Sequence, residues 1–225
     1  MSHRRISRRE FLRCALGSGT VAVLGRAGLR PGRMALAAPS QAEPAPSPYA
    51  LIIDTTKCVG CGACRTACNL RNHLPEDTSY IHILSEGEGA ERRFLPVQCQ
   101  HCAKPPCAQV CPTRATYRRE DGVVMINEKL CVGCKYCMVA CPYKARTFDE
   151  ERGVADKCWL CLDWVQEGRD PACVQACVLG ARLFGRQDDP NSEVAQLIAS
   201  GKAKPLHPEF GTQPSILRYI FEATE

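Results

Sequence analysis

Short runs of apolar residues, separated by loops rich in cysteine, glycine and proline, dominate the hydrophobic pattern of the chain. Such runs suit β-strands, because they are too short for a helix and are bounded by turn-forming residues. Glu120-Asp121-Gly122 stands between two of the runs and indicates a hairpin. The predicted strands are Tyr49–Asp54, Phe94–Val97, Ala115–Arg119, Val123–Ile126 and Ala181–Gly185.

One helix is indicated nearer the C-terminal end. Asp189-Pro190 opens it, Asn191–Ser200 forms its body, and Gly201 lies just past its end, where helices commonly stop. From Lys202 onward the chain shows little periodicity, and we expect that part to be extended. Strands and helices in this mixture predict an α+β protein.

Residues 1–37 carry the pattern of an export signal and are set apart from the predicted fold. Residues 7–13 read Ser-Arg-Arg-Glu-Phe-Leu-Arg, which is close to the twin-arginine signature. An apolar stretch follows from Cys14 to Gly25, and Ala35-Leu36-Ala37 supplies small residues for cleavage. The alternative is a basic, disordered arm. A twin-arginine signal predicts that the folded protein is carried to the periplasm.

Charge and hydropathy weigh against two classes of protein. Removing the eight arginines and one glutamate of residues 1–37 leaves 21 basic and 23 acidic residues, so the formal charge changes from +5 to −2. Nucleic-acid binding thereby loses its electrostatic support. Outside the export signal, no stretch approaches the roughly 20 apolar residues of a transmembrane helix. We therefore expect the mature chain not to cross a bilayer.

Cysteine has the most regular spacing in the chain. Sixteen of the 17 cysteines fall into four tetrads, and Cys14, in the export signal, is left over. The first and third tetrads have the spacing C-x2-C-x2-C-x3-C, which holds [4Fe–4S] clusters in bacterial ferredoxins. The second widens the middle gap to four residues and the fourth widens it to eleven. The tetrads are Cys58-Cys61-Cys64-Cys68, Cys99-Cys102-Cys107-Cys111, Cys131-Cys134-Cys137-Cys141 and Cys158-Cys161-Cys173-Cys177.

Four tetrads supply the ligands for four [4Fe–4S] clusters. Two-residue gaps wrap the chain tightly, and glycines such as Gly60 and Gly133 permit positive φ or close approach there. Proline after Cys111 and Cys141 predicts that a helix starts at these last cysteines. Structural zinc is less favoured, because its ligands usually come as separated pairs. A disulfide scaffold suits an oxidising compartment, but such domains tend to be short.

The residues around the cysteines resemble those of one family of iron–sulfur subunits. Residues 99–115, 131–143 and 156–158, together with Pro171-Ala172-Cys173 and Gly180-Ala181-Arg182, resemble the four-cluster beta subunits of dimethyl-sulfoxide-reductase-type respiratory enzymes. The resemblance covers about residues 50–190. Residues 172–178 and 208–214 are similar to exported members, the iron–sulfur subunits of tetrathionate reductase and of the sulfite-reductase-associated membrane complex.

The resemblance implies two ferredoxin-like dicluster units, one inserted in the other, with short β-hairpins and cluster-binding helices. The outer unit would comprise residues 38–98 and 155–190, the inserted unit residues 99–154, and a helix with an extended docking tail residues 191–225. It also implies that the last cysteines exchange clusters between tetrads. The implied ligand sets are Cys58, Cys61, Cys64 with Cys177; Cys158, Cys161, Cys173 with Cys68; Cys99, Cys102, Cys107 with Cys141; and Cys131, Cys134, Cys137 with Cys111.

The implied function is electron transfer without bond chemistry, so no catalytic residue is expected in this chain. A periplasmic subunit of this kind would relay electrons between an integral membrane, quinone-interacting subunit and a partner, in sulfur-compound respiration. That partner would be a catalytic subunit holding molybdopterin, or another redox protein. The alternatives are the iron–sulfur subunit of an exported hydrogenase or formate dehydrogenase complex, and a cysteine-rich structural module. We expect the tail after Gly201 to dock a partner, so that truncation after Leu206 spares the clusters.

Basic residues beside the cysteines have two possible roles. They could raise the reduction potentials of nearby clusters, or they could be solvated charges on loop surfaces. His101, between two cysteines, could donate to a cluster sulfide or form a structural bond to the backbone. The basic candidates are Lys57, Arg65, Lys104, Lys135 and Lys157.

Overall fold

Nine short strands and six α-helices make up the part of the chain that the computed structural model describes, residues 46–89 and 92–222. The predicted export signal lies outside the described residues. The strands are β1 (Tyr49–Asp54), β2 (His82–Glu86), β3 (Arg93–Val97), β4 (Thr116–Arg118), β5 (Val124–Ile126), β6 (Thr147–Asp149), β7 (Val154–Asp156), β8 (Arg182–Arg186) and β9 (Leu217–Ile220). The helices are α1 (Ala63–Arg71), α2 (Pro106–Gln109), α3 (Tyr136–Val139), α4 (Leu162–Gln166), α5 (Ala172–Gln175) and α6 (Glu193–Ala199).

Strand β1 is the centre of a three-stranded sheet. It pairs antiparallel with β8 and parallel with β9. Its residues are apolar on both faces because both faces are covered: Leu51 and Ile53 join the main core, while Ala50 and Ile52 pack with Val194 of α6. The continuous apolar run predicted at this position therefore becomes a fully buried strand.

Three antiparallel hairpins form the remaining sheets. They pair β2 with β3, β4 with β5, and β6 with β7. The hairpin predicted around Gly122 is the β4–β5 pair, in which Thr116 lies opposite Ile126. The predicted C-terminal helix is α6, where the Ser192 hydroxyl accepts a hydrogen bond from the Ala195 N–H as an N-cap. None of the helices in the described ranges has the length and apolar character needed to span a membrane.

The helices near the cysteines begin before the fourth cysteine of each tetrad, and not at it as the prolines after Cys111 and Cys141 predicted. Helices α2, α3 and α5 each contain the third cysteine of a tetrad and end before the fourth, and α1 contains Cys64 and Cys68. The prediction that helices start at Cys111 and Cys141 is therefore wrong. Proline at these sites follows a helix end, where it cannot continue the helix, whereas Pro106 occupies the first turn of α2.

The tail is part of the core. Ile216, Leu217 and Tyr219 are completely buried, and β9 completes the sheet on the free edge of β1. The N–H of Ala103 donates to the carbonyl oxygen of Gln213 at 2.7 Å, which ties the tail to the second cysteine loop. The tail is therefore more than an extended segment, because its apolar side chains fill space left by segments distant in sequence.

Candidate metal centres

Four cavities, each lined by four cysteines, are distributed through the described part of the molecule. Each contains about 320 to 420 Å³ of empty space, its open mouth included. We number them by the tetrad that supplies three of the cysteines. Cavity 1 holds Cys58, Cys61, Cys64 and Cys177; cavity 2 holds Cys99, Cys102, Cys107 and Cys141; cavity 3 holds Cys131, Cys134, Cys137 and Cys111; cavity 4 holds Cys158, Cys161, Cys173 and Cys68.

Helix pairing explains why every cavity takes its last cysteine from another tetrad. Helix α1 packs against α5, and α2 packs against α3. Cys68 lies within α1, and the other three fourth cysteines lie just beyond the end of their helix. From these positions each reaches the cavity at the loop that precedes the partner helix. The structure brings together the same four groups of cysteines that the family resemblance implies, while cluster ligation by these groups stays a prediction.

Two glycines let β-hairpins pack directly under the cysteine loops. Gly60 has φ +69°, and a Cβ there would overlap the ring of Phe94 on β3. Gly133 has φ +67°, and its Cβ would lie 2.6 Å from the carbonyl oxygen of Gly153 in the β6–β7 hairpin. Glycine is required at both positions by the left-handed backbone and by the close approach of the hairpin. The first and third tetrads therefore use one structural device.

The buried thiols are in an environment that opposes free thiolates. Burial, followed by the neighbouring sulfur of Cys173, raises the pKa of Cys68 to about 12. Burial and then the sulfur of Cys99 raise the pKa of Cys102 to about 12. Burial also raises the pKa of Cys158 well above its ordinary value. Such thiols become good ligands only when a cationic centre replaces their protons, which is how metal binding to cysteine is coupled to proton release.

The donor set and its arrangement fit an iron–sulfur cluster. Four thiols surround each cavity, and soft thiolate ligands are those that iron–sulfur centres use. In residues 46–89 and 92–222, no three Cys, His, Asp or Glu side chains converge closely enough to bind one metal ion. The four thiols of each cavity line a space, as a polynuclear core requires. When bound, such a core would supply one-electron redox chemistry.

Arg182 is a functional candidate that the spacing analysis did not single out. It is almost completely buried at the start of β8, and its Nη1 donates to the Gln98 Oε1 at 2.8 Å. Burial alone would lower its pKa, but the sulfurs of Cys173 and Cys64 raise it overall. Cys173 belongs to cavity 4 and Cys64 to cavity 1, so the guanidinium lies between these two cavities.

Arg146 has the corresponding position between cavities 2 and 3. Its Nη1 donates to the Thr116 hydroxyl at 3.2 Å, and its pKa is raised by the sulfurs of Cys107 and Cys137 against the opposing effect of burial. Arg146 follows Cys141 by five residues, and Arg182 follows Cys177 by the same interval. This repeated Ala-Arg after the last cysteine was the available sequence signal.

Lys157 is the one basic candidate beside the cysteines that is buried in the described structure. Its ammonium donates to the carbonyl oxygens of Val124 and Cys158, the latter at 2.8 Å. The other four candidates are solvent-exposed: Lys57, Arg65, Lys104 and Lys135. Lys57 and Lys135 also form surface ion pairs with Asp54 and Glu150. Screening by water weakens the effect of such exposed charges.

His101 forms the structural bond to the backbone. Its Nδ1 accepts a hydrogen bond from the N–H of Val124 at 3.1 Å, so the neutral ring carries its proton on Nε2. Burial and then the charges of Lys157 and Arg146 hold its pKa well below the ordinary value. Its Nε2 is buried and has no hydrogen-bond partner among the described residues.

A wide cleft opens beside cavity 4 and shares Asn72, Tyr80 and Trp159 with it. It contains about 1950 Å³ of empty space, its open mouth included, and no cysteine is among its lining residues. Arg71 of this cleft stacks over the rings of Trp159 and Trp164, at 5.4 and 4.7 Å from their centroids. Both tryptophans therefore have packing roles at the surface near cavity 4.

Comparison with known proteins identifies the family of the cysteine motifs. A 4Fe-4S dicluster domain matches residues 90–187, and a 4Fe-4S binding domain matches residues 51–68. One subunit of tetrathionate reductase, from Salmonella typhimurium, is 42% identical over 176 residues, which are 75% of this chain and 70% of the relative. The chain belongs to the iron–sulfur subunits of the dimethyl-sulfoxide-reductase-type family.

Other members of this iron–sulfur family have similar identity. Protein NrfC of Escherichia coli is 41% identical over 184 residues, covering 79% of this chain and 82% of the relative. One subunit of sulfite dehydrogenase, from Allochromatium vinosum, is 40% identical over 192 residues, covering 74% and 80%. As an iron–sulfur subunit of this family, the chain is an electron-transfer component of reductase-type complexes.

Proposed function

We propose that the chain carries four [4Fe–4S] clusters, one in each cysteine cavity, and conducts electrons along them. The observation that carries the proposal is the arrangement of sixteen cysteines around four separate cavities, four to each. Each set is completed across a helix pair. The outer unit would hold cavities 1 and 4 and the inserted unit cavities 2 and 3, which is the nested dicluster arrangement expected for the family.

Proximity of sulfurs supports one linear order, cavity 1, cavity 4, cavity 2, cavity 3. After burial, the neighbours that raise the pKa of Cys173 in cavity 4 include Cys64 of cavity 1. Those that raise the pKa of Cys158 in cavity 4 include Cys99 of cavity 2. Those that raise the pKa of Cys137 in cavity 3 include Cys107 of cavity 2. Three junctions therefore connect four centres in series.

Exposure supports electron entry and exit at the two ends of this series. Cys61 of cavity 1 and Cys134 of cavity 3 are exposed, whereas all four cysteines of cavity 4 are buried. Apolar side chains are exposed at both ends, including Val178 beside cavity 1 at 89% and Val139 on the helix of cavity 3 at 87%. Apolar surface around an exposed cysteine suits a redox partner that docks and excludes water.

The cellular part of the proposal rests on residues 1–37 and on the relatives. We place the protein in the periplasm after twin-arginine export, between an integral membrane subunit that exchanges electrons with quinone and a catalytic subunit or another redox protein. Tetrathionate reductase and sulfite dehydrogenase, whose subunits are relatives, are named for sulfur compounds. They favour sulfur-compound respiration as the process, with this chain as a non-catalytic subunit peripheral to the membrane.

Anaerobic purification with iron and sulfide analysis tests the four-cluster proposal. About sixteen irons and sixteen sulfides per chain are expected, with interacting EPR signals during a redox titration. The double variant Cys68→Ser with Cys158→Ser tests whether the last cysteine of one tetrad binds the cluster of another, because both residues line cavity 4. It should disturb one cluster and leave the other three, whereas two disturbed clusters, or iron far below that of three clusters per chain, would contradict the pairing.

A further inference from the structure

Each junction of the proposed series contains one buried basic side chain. Arg182 lines cavity 1 and donates to Gln98, which lines cavity 4. Lys157 donates to Cys158 of cavity 4 and to Val124, which lines cavity 2. Arg146 lines cavity 2 and donates to Thr116, which lines cavity 3. We propose that these three residues are fixed counter-charges, each shared by the two clusters that flank it, and that they keep the potentials of both clusters high. The inference rests on the proposed function, since it needs clusters in the cavities.

Within the described residues, the hydrogen-bond partners of the three cations include no carboxylate. Arg146 donates to a hydroxyl, Arg182 to a side-chain amide, and Lys157 to two main-chain carbonyls. A buried charge without an opposite charge is strongly destabilising, so an anion close by is required. A cluster bound by four thiolates is such an anion. The cations and the cysteine cavities are therefore complementary parts of one charge arrangement.

One terminal nitrogen of each arginine supports the same assignment. Nη2 of Arg146 and Nη2 of Arg182 are buried and have no hydrogen-bond partner among the residues that the structure describes. Each guanidinium is nevertheless close enough to sulfurs of two cavities to interact with them electrostatically. A bound cluster would bring further sulfur acceptors toward these donors. Gln98 adds a link, because it accepts from Arg182 and its Nε2 lies 3.8 Å from the Sγ of Cys158.

Lys157 completes the set at the central junction. Val124, whose carbonyl oxygen accepts from the ammonium, lines cavity 2, while Cys158, the other acceptor, lines cavity 4. Lys157 is 2% exposed, so little water screens its charge. The ammonium is thus held between the two units by main-chain atoms, with one contact on each side of the junction.

A shared cation affects transfer in a definite way. An electron that crosses a junction oxidises one cluster and reduces its neighbour by one unit, and no proton or bond is exchanged. A positive charge near both clusters stabilises the electron at either position, and the effect is large because the site is buried. Removing the charge should lower both flanking potentials, whereas the two remote clusters should keep theirs.

Redox titration followed by EPR of three variants tests the proposal. Arg182→Met should lower two of the four transitions and Arg146→Met should lower the complementary two. Lys157→Met should lower one transition from each pair. Lys104→Met is the matched control, since Lys104 stands between ligands Cys102 and Cys107 but is exposed. It should leave all four transitions within the error of the measurement.

Charge-preserving variants keep the test decisive if a methionine variant fails to bind iron. Arg182→Lys and Arg146→Lys should retain the flanking potentials, and a clear fall in either variant would overturn the proposal. Equal shifts of all four transitions in the methionine variants, or none, would also overturn it. The iron and sulfide content of the unaltered protein distinguishes failure of this proposal from failure of the proposed function. Fewer than four clusters in the unaltered protein would contradict the four-cluster function itself.

Discussion

The proposed inner and outer units share the same local features around their cysteines, but their paired strands are separated by very different lengths of chain. In the inner unit, the β4–β5 and β6–β7 hairpins close between neighbouring residues. In the outer unit, β1 pairs with β8 of the same unit and with β9 of the tail, and both strands come much later in the sequence. Closing a longer loop costs more entropy, so the outer unit needs more buried surface to offset that cost. Its tail supplies that surface.

The shared devices show what a cysteine cavity of this kind requires. Gly60 and Gly133 each lie under a hairpin, and Arg146 and Arg182 each follow a last cysteine and lie between two cavities. These features recur because they act locally, on the loop and on the charge inside it. The three-stranded sheet has no counterpart among the hairpins of the inner unit, because it joins two strands of the outer unit to a strand of the tail.

Truncation after Leu206 should have the largest effect on stability, and it should destabilise the outer unit more than the inner unit. It removes the buried side chains of Ile216, Leu217 and Tyr219, each stabilising by about 1.5–3 kcal/mol. Their sum approaches the roughly 5–15 kcal/mol of a typical domain. We expect the outer unit to lose its clusters first, seen as iron loss and rapid proteolysis of residues before Gln98.

This expectation reverses the one drawn from the sequence, in which the same truncation spares the clusters. A truncated protein that retains full iron and unfolds at the same temperature would restore the idea of a dispensable docking tail. Equal loss from both units would show that they fold as one cooperative structure instead of two.

Alanine at the two loop glycines should have the next largest effect. Both positions carry a left-handed backbone, and the added Cβ would collide with Phe94 at position 60 or with the Gly153 carbonyl at position 133. Overpacking typically costs about 1–3 kcal/mol, and backbone strain adds to it. Gly133→Ala should be worse, because a ring can rotate and a main-chain carbonyl cannot. Thermal unfolding and iron retention measure both.

Gly62→Ala is the control for these two variants. Gly62 has φ +81°, but nothing lies within 4 Å of a Cβ placed there, so it reports backbone strain without collision. Phe94→Leu should partly rescue Gly60→Ala. If Gly62→Ala were as damaging as Gly60→Ala, the contact with the hairpin would be irrelevant and backbone strain alone would matter.

Tyr143→Phe should have the smallest effect, at the contact between the tail and the inner unit. The Tyr143 hydroxyl lies 2.7 Å from the Thr212 hydroxyl and donates to the Leu206 carbonyl oxygen at 3.3 Å. Loss of a hydrogen bond of this kind costs about 1 kcal/mol. The unfolding temperature should decrease slightly, while Tyr117→Phe, which alters an exposed side chain on β4, should leave it unchanged. A decrease equal to that of the truncation would mean that this single contact anchors the tail.

Part of the local structure could be read from the sequence, although β2, β6, β7 and β9 were not predicted. The residues of β1 match the predicted strand, and β3, β4, β5, β8 and α6 fall within a residue or two of their predictions. Strand runs, turn residues and helix caps act over a few positions, so the chain itself records them. The same is true of the cysteine spacing, which favoured a [4Fe–4S] protein.

Long-range features were decided only by the tertiary structure. Residues 216–221 form an apolar run of strand length, but the run does not show what the strand pairs with. Ile216, Leu217 and Tyr219 become buried there because β1 offers a free edge and a gap to fill. The sequence marks Arg146 and Arg182 only by the repeated Ala-Arg after the last cysteine, and burial beside two cysteine cavities gives them a role. Sequence thus determined which chemistry the chain can hold, since ligand type and local spacing are properties of neighbouring residues. Which charges stand between the cavities depends on packing among distant segments, and only the folded chain sets it.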